Sequence, residues 1–131
     1  MFQWVIRSAI SDVMPSGTGL PGIIDADWDA FYERYRREAS TTMWLGLALG
    51  SLVFVCAPVL SVGWPLPSFL LPRRVRDRHA DAMMGHPIYL VRQSAFVLKL
   101  NAGFCWGADP AVRQCLGLAP YRPDPDGWRT E

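Results

Sequence analysis

The sequence predicts an all-α chain with one helix long enough to cross a membrane. Three observations lead there. Residues 39–72 carry no charged side chain, although charge is dense on both sides of them. Flanking stretches place apolar and aromatic residues three and four apart, the spacing of a helix face. Proline and glycine gather between these stretches, at 15–22, 63–72 and 107–110, where they break one element from the next. The predicted architecture is one N-terminal amphipathic helix, one membrane-spanning helix, then a small helical docking domain with an extended C-terminal tail. Its segments are a lead-in and amphipathic helix over 1–40, a transmembrane anchor with a proline-rich exit over 41–68, and a docking module with a proline-containing tail over 69–131.

A chain of 131 residues has room for one small domain and an anchor, not for two cores. The net charge of +1 gives no electrostatic reason to expect a nucleic-acid partner. The ends differ: residues 1–40 hold four arginines against six acids, and residues 73–131 hold nine basic residues against six acids. Cys56, Cys105 and Cys115 form no CxxC, no haem-attachment and no zinc-type spacing, so they are expected as reduced, buried thiols. Phe2, Trp4 and Ile6 follow Met1 without a basic leader, so no secretory signal is expected.

The first ten residues are expected to form a short helical turn that rests its apolar side chains on a surface, and Pro15 to Gly22 to form a loop. Asp25 is placed to cap a helix over about 26–40. In that helix Trp28, Phe31, Tyr32 and Tyr35 fall on one face, which is expected to meet a partner or the membrane interface.

The apolar centre, Met43 to Val62, matches the roughly 20 helical residues that cross a hydrocarbon layer of about 30 Å. Trp44 and Trp64 stand near its ends, where indole rings favour the headgroup level. Gly46 and Gly50 make a GxxxG spacing. Pro58 kinks the helix, and Gly63, Pro65 and Pro67 end it; a re-entrant hairpin is the other way to place this run. More arginines after the run than before it favour a cytoplasmic C-terminal side of a single-pass chain, in the inner membrane if the source is bacterial.

Pro72 is placed at the start of an arginine-rich helix that stops at Gly85. His79 and His86 lie seven apart and could share a face, and satisfied or solvated imidazoles are expected rather than metal ligands. Pro87 restarts the chain into a helix over 88–106. Arg92 and Lys99 make lipid costly for it, while Tyr89, Phe96 and Phe104 leave too wide an apolar face for water, so a covering partner is expected. Gly107 ends that helix, Asp109 caps the next one, Pro110 takes its first position and Gly117 stops it. The prolines at 120, 123 and 125 predict an extended strap, with Tyr121 and Trp128 as aromatic anchors.

The run Phe104-Cys105-Trp106-Gly107-Ala108-Asp109-Pro110-Ala111-Val112, followed by Leu116-Gly117-Leu118 and Pro120-Tyr121, resembles a helical module associated with GMC-type flavin oxidoreductases. That module is the small accessory subunit of gluconate-type dehydrogenases and the helical segment ahead of the flavin domain in long-chain alcohol oxidases. The resemblance covers about residues 69–128. It departs from the pattern by inserting Ala108, by Leu118 in place of an aromatic, and by the apolar run in front. It implies a non-catalytic subunit that docks a larger flavoprotein through Tyr89, Phe96, Phe104, Trp106, Asp109, Pro110, Tyr121 and Trp128, with FAD in the partner and no cofactor in this chain.

No glycine-rich phosphate loop and no nucleophile motif appear, so an independent enzyme is not expected. The expected function is a membrane-anchoring accessory subunit that docks and stabilises a GMC-type dehydrogenase or oxidase. The other reading is a small structural subunit of a membrane electron-transfer or pigment complex.

Overall fold

The structure, a computed structural model, describes residues 2–17, 19–120 and 122. All regular structure in them is helical: α1 (Gln3–Val13), α2 (Trp28–Glu38), α3 (Thr41–Cys56), α4 (Pro58–Ser61), α5 (Arg73–Met84), α6 (Tyr89–Ala108) and α7 (Pro110–Cys115), with 3-10 turns at Ile23–Asp25 and Ser68–Leu70. The all-α expectation is met.

The apolar run does not form the expected membrane-spanning helix. Its helix starts at Thr41, where the Ser40 hydroxyl caps it by accepting from the Met43 amide, and it ends after 16 residues at Cys56. Among the described residues no helix is long and apolar enough to cross a membrane. The physical reason is Pro58, which has no amide to give the carbonyl four residues back, so the backbone turns at Ala57 into the four-residue α4. One side of α3 is then the centre of the molecule: Leu47, Ser51, Phe54 and Val55 are buried there. Leu45, Leu49, Leu52 and Val53 on the other side stay exposed.

α3 and α6 pack side by side. Gly50 lets them approach closely, because a Cβ there would stand 3.3 Å from the Ser94 carbonyl oxygen. Gly46, the other half of the GxxxG spacing, faces open space. The two helices are antiparallel, since Met43 shares a cleft with Phe104 while Gly50 meets Ser94.

α1 packs against both of them, and α5 lies across α1 and α6. The first residues are therefore a core helix and not a surface turn: Ile6, Ala9 and Ile10 are fully enclosed. Asp12 of α1 is buried as well, and Nη1 of Arg76 on α5 donates to its Oδ1 at 3.0 Å. Burial pushes the Asp12 carboxyl above its ordinary range, and the Arg76 charge opposes that rise without cancelling it.

Asp25 does not cap α2. It belongs to the preceding turn, where its carboxylate accepts from the Gly22 amide at 2.9 Å, and Asp27 caps α2 by accepting from the Ala30 amide at 3.1 Å. Gly22 is required there, because any Cβ would sit 2.5 Å from the amide nitrogen of Ser16. The aromatic stripe of α2 turns inward. Trp28 and Tyr32 are buried in the core, and Phe31 and Tyr35 are half-buried against it, so most of that face is taken up by packing rather than by a partner.

Candidate functional site

The face of α6 that points away from the core is built by helical spacing. Ala95, Leu98, Ala102 and Cys105 face inward, which leaves Tyr89, Phe96, Leu100 and Phe104 exposed along the opposite side. Leu90 stands beside them with 76 % of its surface in solvent. Arg92 stays on this helix without disturbing the stripe: its guanidinium lies 5.8 Å from the Tyr89 ring centre and donates to the His86 carbonyl at 3.0 Å.

At its C-terminal end the stripe opens into a cleft of about 420 Å³ between α2, the start of α3 and α6. Phe31, Tyr35, Met43 and Phe104 line it, and Gly103 and Gly107 give it a wall of bare backbone. A second hollow of about 280 Å³ shares Phe31, Arg34 and Ala108 with the first and reaches Asp109 and Pro110. The Tyr35 hydroxyl donates to the Met43 carbonyl at 3.2 Å, which holds α2 to α3 at the mouth.

The remaining residues singled out in the sequence divide by task. Trp106 turns its indole N–H toward the Pro21 carbonyl at 2.7 Å and pins the 15–22 loop to α6. Asp109 caps α7 through the amides of Ala111 and Val112, and Pro110 occupies the first helical position, as the spacing predicts. Gly107 does not end α6, which runs one residue further to Ala108. Gly117 closes α7 with a φ of 66°, a conformation that favours glycine. Arg113 ties this corner, donating to the carbonyls of Gly107 and Ala119. Tyr121 and Trp128 lie outside the described residues. Trp44 is half-buried at the start of α3, and Trp64 is exposed in the turn after α4.

His79 is enclosed, and both ring nitrogens are engaged. Nε2 donates to the Phe54 carbonyl at 2.8 Å, and Nδ1 accepts from the Ser61 hydroxyl. The roles follow from chemistry, because a carbonyl oxygen only accepts and burial holds the ring below its ordinary range, in the neutral form. A ring bonded at both nitrogens has no lone pair left for a metal. His86 accepts from the Ile88 amide through Nδ1. Among the described residues no group of three or more His, Cys, Asp or Glu could hold a metal ion. Burial, with Asp109 and Asp27 nearby, pushes the Cys105 thiol up to about 11, so it is a poor nucleophile. Cys56 and Cys115 are exposed, contrary to the expectation of burial for all three thiols.

The α2–α6 cleft and the Asp12–Arg76 pair escape sequence reasoning. Gly103 and Gly107 four apart beside Phe104 were the available signal for the cleft. Asp12 and Arg76 lie 64 positions apart and offer no local signal.

Comparison of the chain with protein-family models, with curated proteins and with solved structures gives no match.

Proposed function

We propose that this chain is a non-catalytic accessory subunit that docks and stabilises a larger flavin-dependent oxidoreductase of the GMC type and keeps it beside a membrane. The observation that carries the docking half is the exposed Tyr89–Phe96–Leu100–Phe104 stripe, continuous with the cleft at Phe31, Met43 and Phe104. An apolar stripe on a fixed helix, ending in a cleft with a bare glycine wall, suits an inserted aromatic or aliphatic anchor from a partner. The resemblance of residues 104–121 to the flavoprotein-associated module supplies the partner class. Pro110 and the α7 corner extend the contact, while Trp106 and Asp109 shape it from within. FAD belongs to the partner in this reading.

The test is recovery of the tagged chain from its native membrane in mild detergent, followed by mass spectrometry and an absorption spectrum. A stoichiometric large flavoprotein is expected, and Phe96→Asp with Phe104→Asp should lose it. Recovery of haem- or pigment-bearing subunits in its place overturns the proposal.

A further inference from the structure

The charge-free run does not end with α3. Residues 57–72 wrap the C-terminal end of that helix as α4, a turn and a 3-10 turn, and they too contain no ionisable side chain. Their backbone is tied down from inside. Pro58, Ser68 and Leu71 are buried, Ser61 bonds His79, and the Phe69 ring meets the Trp4 ring edge-on at 5.1 Å. Yet the side chains between these anchors point outward. Leu60 leaves 77 % of its surface in solvent, and Trp64, Leu66 and Leu70 are exposed in the same stretch. Such a fixed loop that displays aliphatic tips cannot hide them by folding back.

The ionisable groups that follow carry a net positive charge. Residues 73–78 hold four arginines and one aspartate. Arg73 is paired with Asp77 on its own helix, and Arg76 with the buried Asp12. Arg74 and Arg78 are exposed, and no ion pair among the described residues takes either. Asp81, one turn further along α5, is exposed and likewise in no ion pair among the described residues, so residues 73–81 hold four arginines against two aspartates. The arrangement is therefore an apolar tip with indole and phenyl rings at its border and two available guanidinium groups behind it.

We infer that this tip is a monotopic membrane contact, in which Leu60, Leu66 and Leu70 enter the acyl boundary and Arg74 and Arg78 meet anionic headgroups. Lipid fits this surface, because exposed aliphatic side chains bordered by aromatic rings and followed by a net positive charge are the pattern of a contact with an anionic membrane interface. Trp64, Trp4 and Phe69 take the interfacial level that aromatic rings favour. The lipid contact lies at the opposite end of α3 from the docking cleft, at the end of the bundle where the α6 stripe begins at Tyr89. The cleft lies at the start of α3, beside Met43, and the tip lies beyond its end at Cys56. The inference deepens the membrane half of the proposed function and does not depend on the flavoprotein.

The experiment is sedimentation of the purified full chain with vesicles of phosphatidylcholine alone and of phosphatidylcholine mixed with phosphatidylglycerol. The chain should pellet with the mixed vesicles. Leu60→Asp with Leu70→Asp should weaken that binding roughly tenfold or more, and Arg74→Glu with Arg78→Glu should remove the preference for the anionic lipid by a similar factor. Phe96→Asp, on α6 and outside the tip, should bind as the unmodified chain does. Circular dichroism checks that each variant keeps its helices. Brominated lipid gives an independent reading, since its quenching of tryptophan emission should fall in Trp64→Phe. Failure of the unmodified chain to pellet with either vesicle overturns the inference. So does unchanged binding of the Leu60/Leu70 variant, or loss of binding in Phe96→Asp alone. None of these outcomes alters flavoprotein recovery in detergent, so the two proposals fail separately.

Discussion

The imidazole of His79 donates to the carbonyl of Phe54 at 2.8 Å, and that carbonyl is the one left without a helical donor by Pro58. The Ala57 amide approaches the same oxygen only at 3.4 Å. A side chain on α5 thus completes a hydrogen bond that α3 cannot make for itself. Replacing His79 by leucine should cost about 1–3 kcal/mol, the range for stranding a buried polar group. Restoring an amide with Pro58→Ala should reduce that loss, by at least ~0.5 kcal/mol in a double-mutant cycle followed by urea denaturation. Equal losses in both backgrounds would show that the imidazole is only filling space.

His79 also sets a pH dependence. Burial lowers its folded-state pKa below the ordinary 6.5, so the unfolded chain binds the proton more readily. The contribution is complete above pH 6.5 and is lost as pH falls from there toward the depressed folded value. Denaturation midpoints across mildly acidic pH should show this slope in the native chain and a flatter line in His79→Leu.

Asp12 behaves in the opposite sense. Its folded pKa lies above 3.8, so the folded chain takes up the proton first and the burden of the buried carboxylate is relieved as pH falls through that raised value. Arg76→Ala strands this carboxylate and should cost about 3 kcal/mol at neutral pH, the lower end for breaking a buried pair because Arg76 is partly exposed. The loss should shrink on acidification. Asp12→Asn combined with Arg76→Ala should cost less than Arg76→Ala alone, as read by thermal denaturation.

Gly50 and Gly46 separate a packing constraint from a sequence coincidence. Gly50→Val forces α3 off the Ser94 backbone and should destabilise by about 1–3 kcal/mol. Gly46→Ala meets open space and should stabilise by roughly 0.5–1 kcal/mol through helix propensity. Matching effects of the two in denaturant titrations would contradict the described helix pairing.

The thiols should react in two classes. Cys56 and Cys115 are exposed and should take a maleimide in the folded chain, whereas Cys105 is buried with its thiol held near 11 and should label only on unfolding. Mass spectrometry of the labelled chain counts the additions directly.

Helix placement was legible where local chemistry decides it. Asp109, Pro110 and Gly117 act at the positions that capping and turn rules assign them. The exposed side of α6 was legible too, because Tyr89, Phe96 and Phe104 repeat at helical spacing. The destination of the apolar run was not. Leu, Val and Phe read alike whether lipid or protein covers them, and what turns the run inward is a proline answered by a histidine 21 positions later. Nor did the stripe on α2 announce its partner, since Trp28 and Tyr32 fill a core made with residues of α1 and α6. Asp25 and Asp27 are both fit to cap, and only the close approach of Gly22 to Ser16 assigns Asp25 to the earlier turn.

The antiparallel pairing of α3 and α6 has a metric consequence. With lipid at the tip beyond Cys56 and the flavoprotein at the cleft beside Met43, α3 becomes a ruler, roughly 24 Å long at the helical rise per residue. The height of the partner above the bilayer would then be a property of this chain, written in the number of turns between Ser40 and Pro58. Lengthening both helices by one turn would lift the enzyme by about 5 Å and lengthen the path for any substrate or acceptor drawn from the lipid.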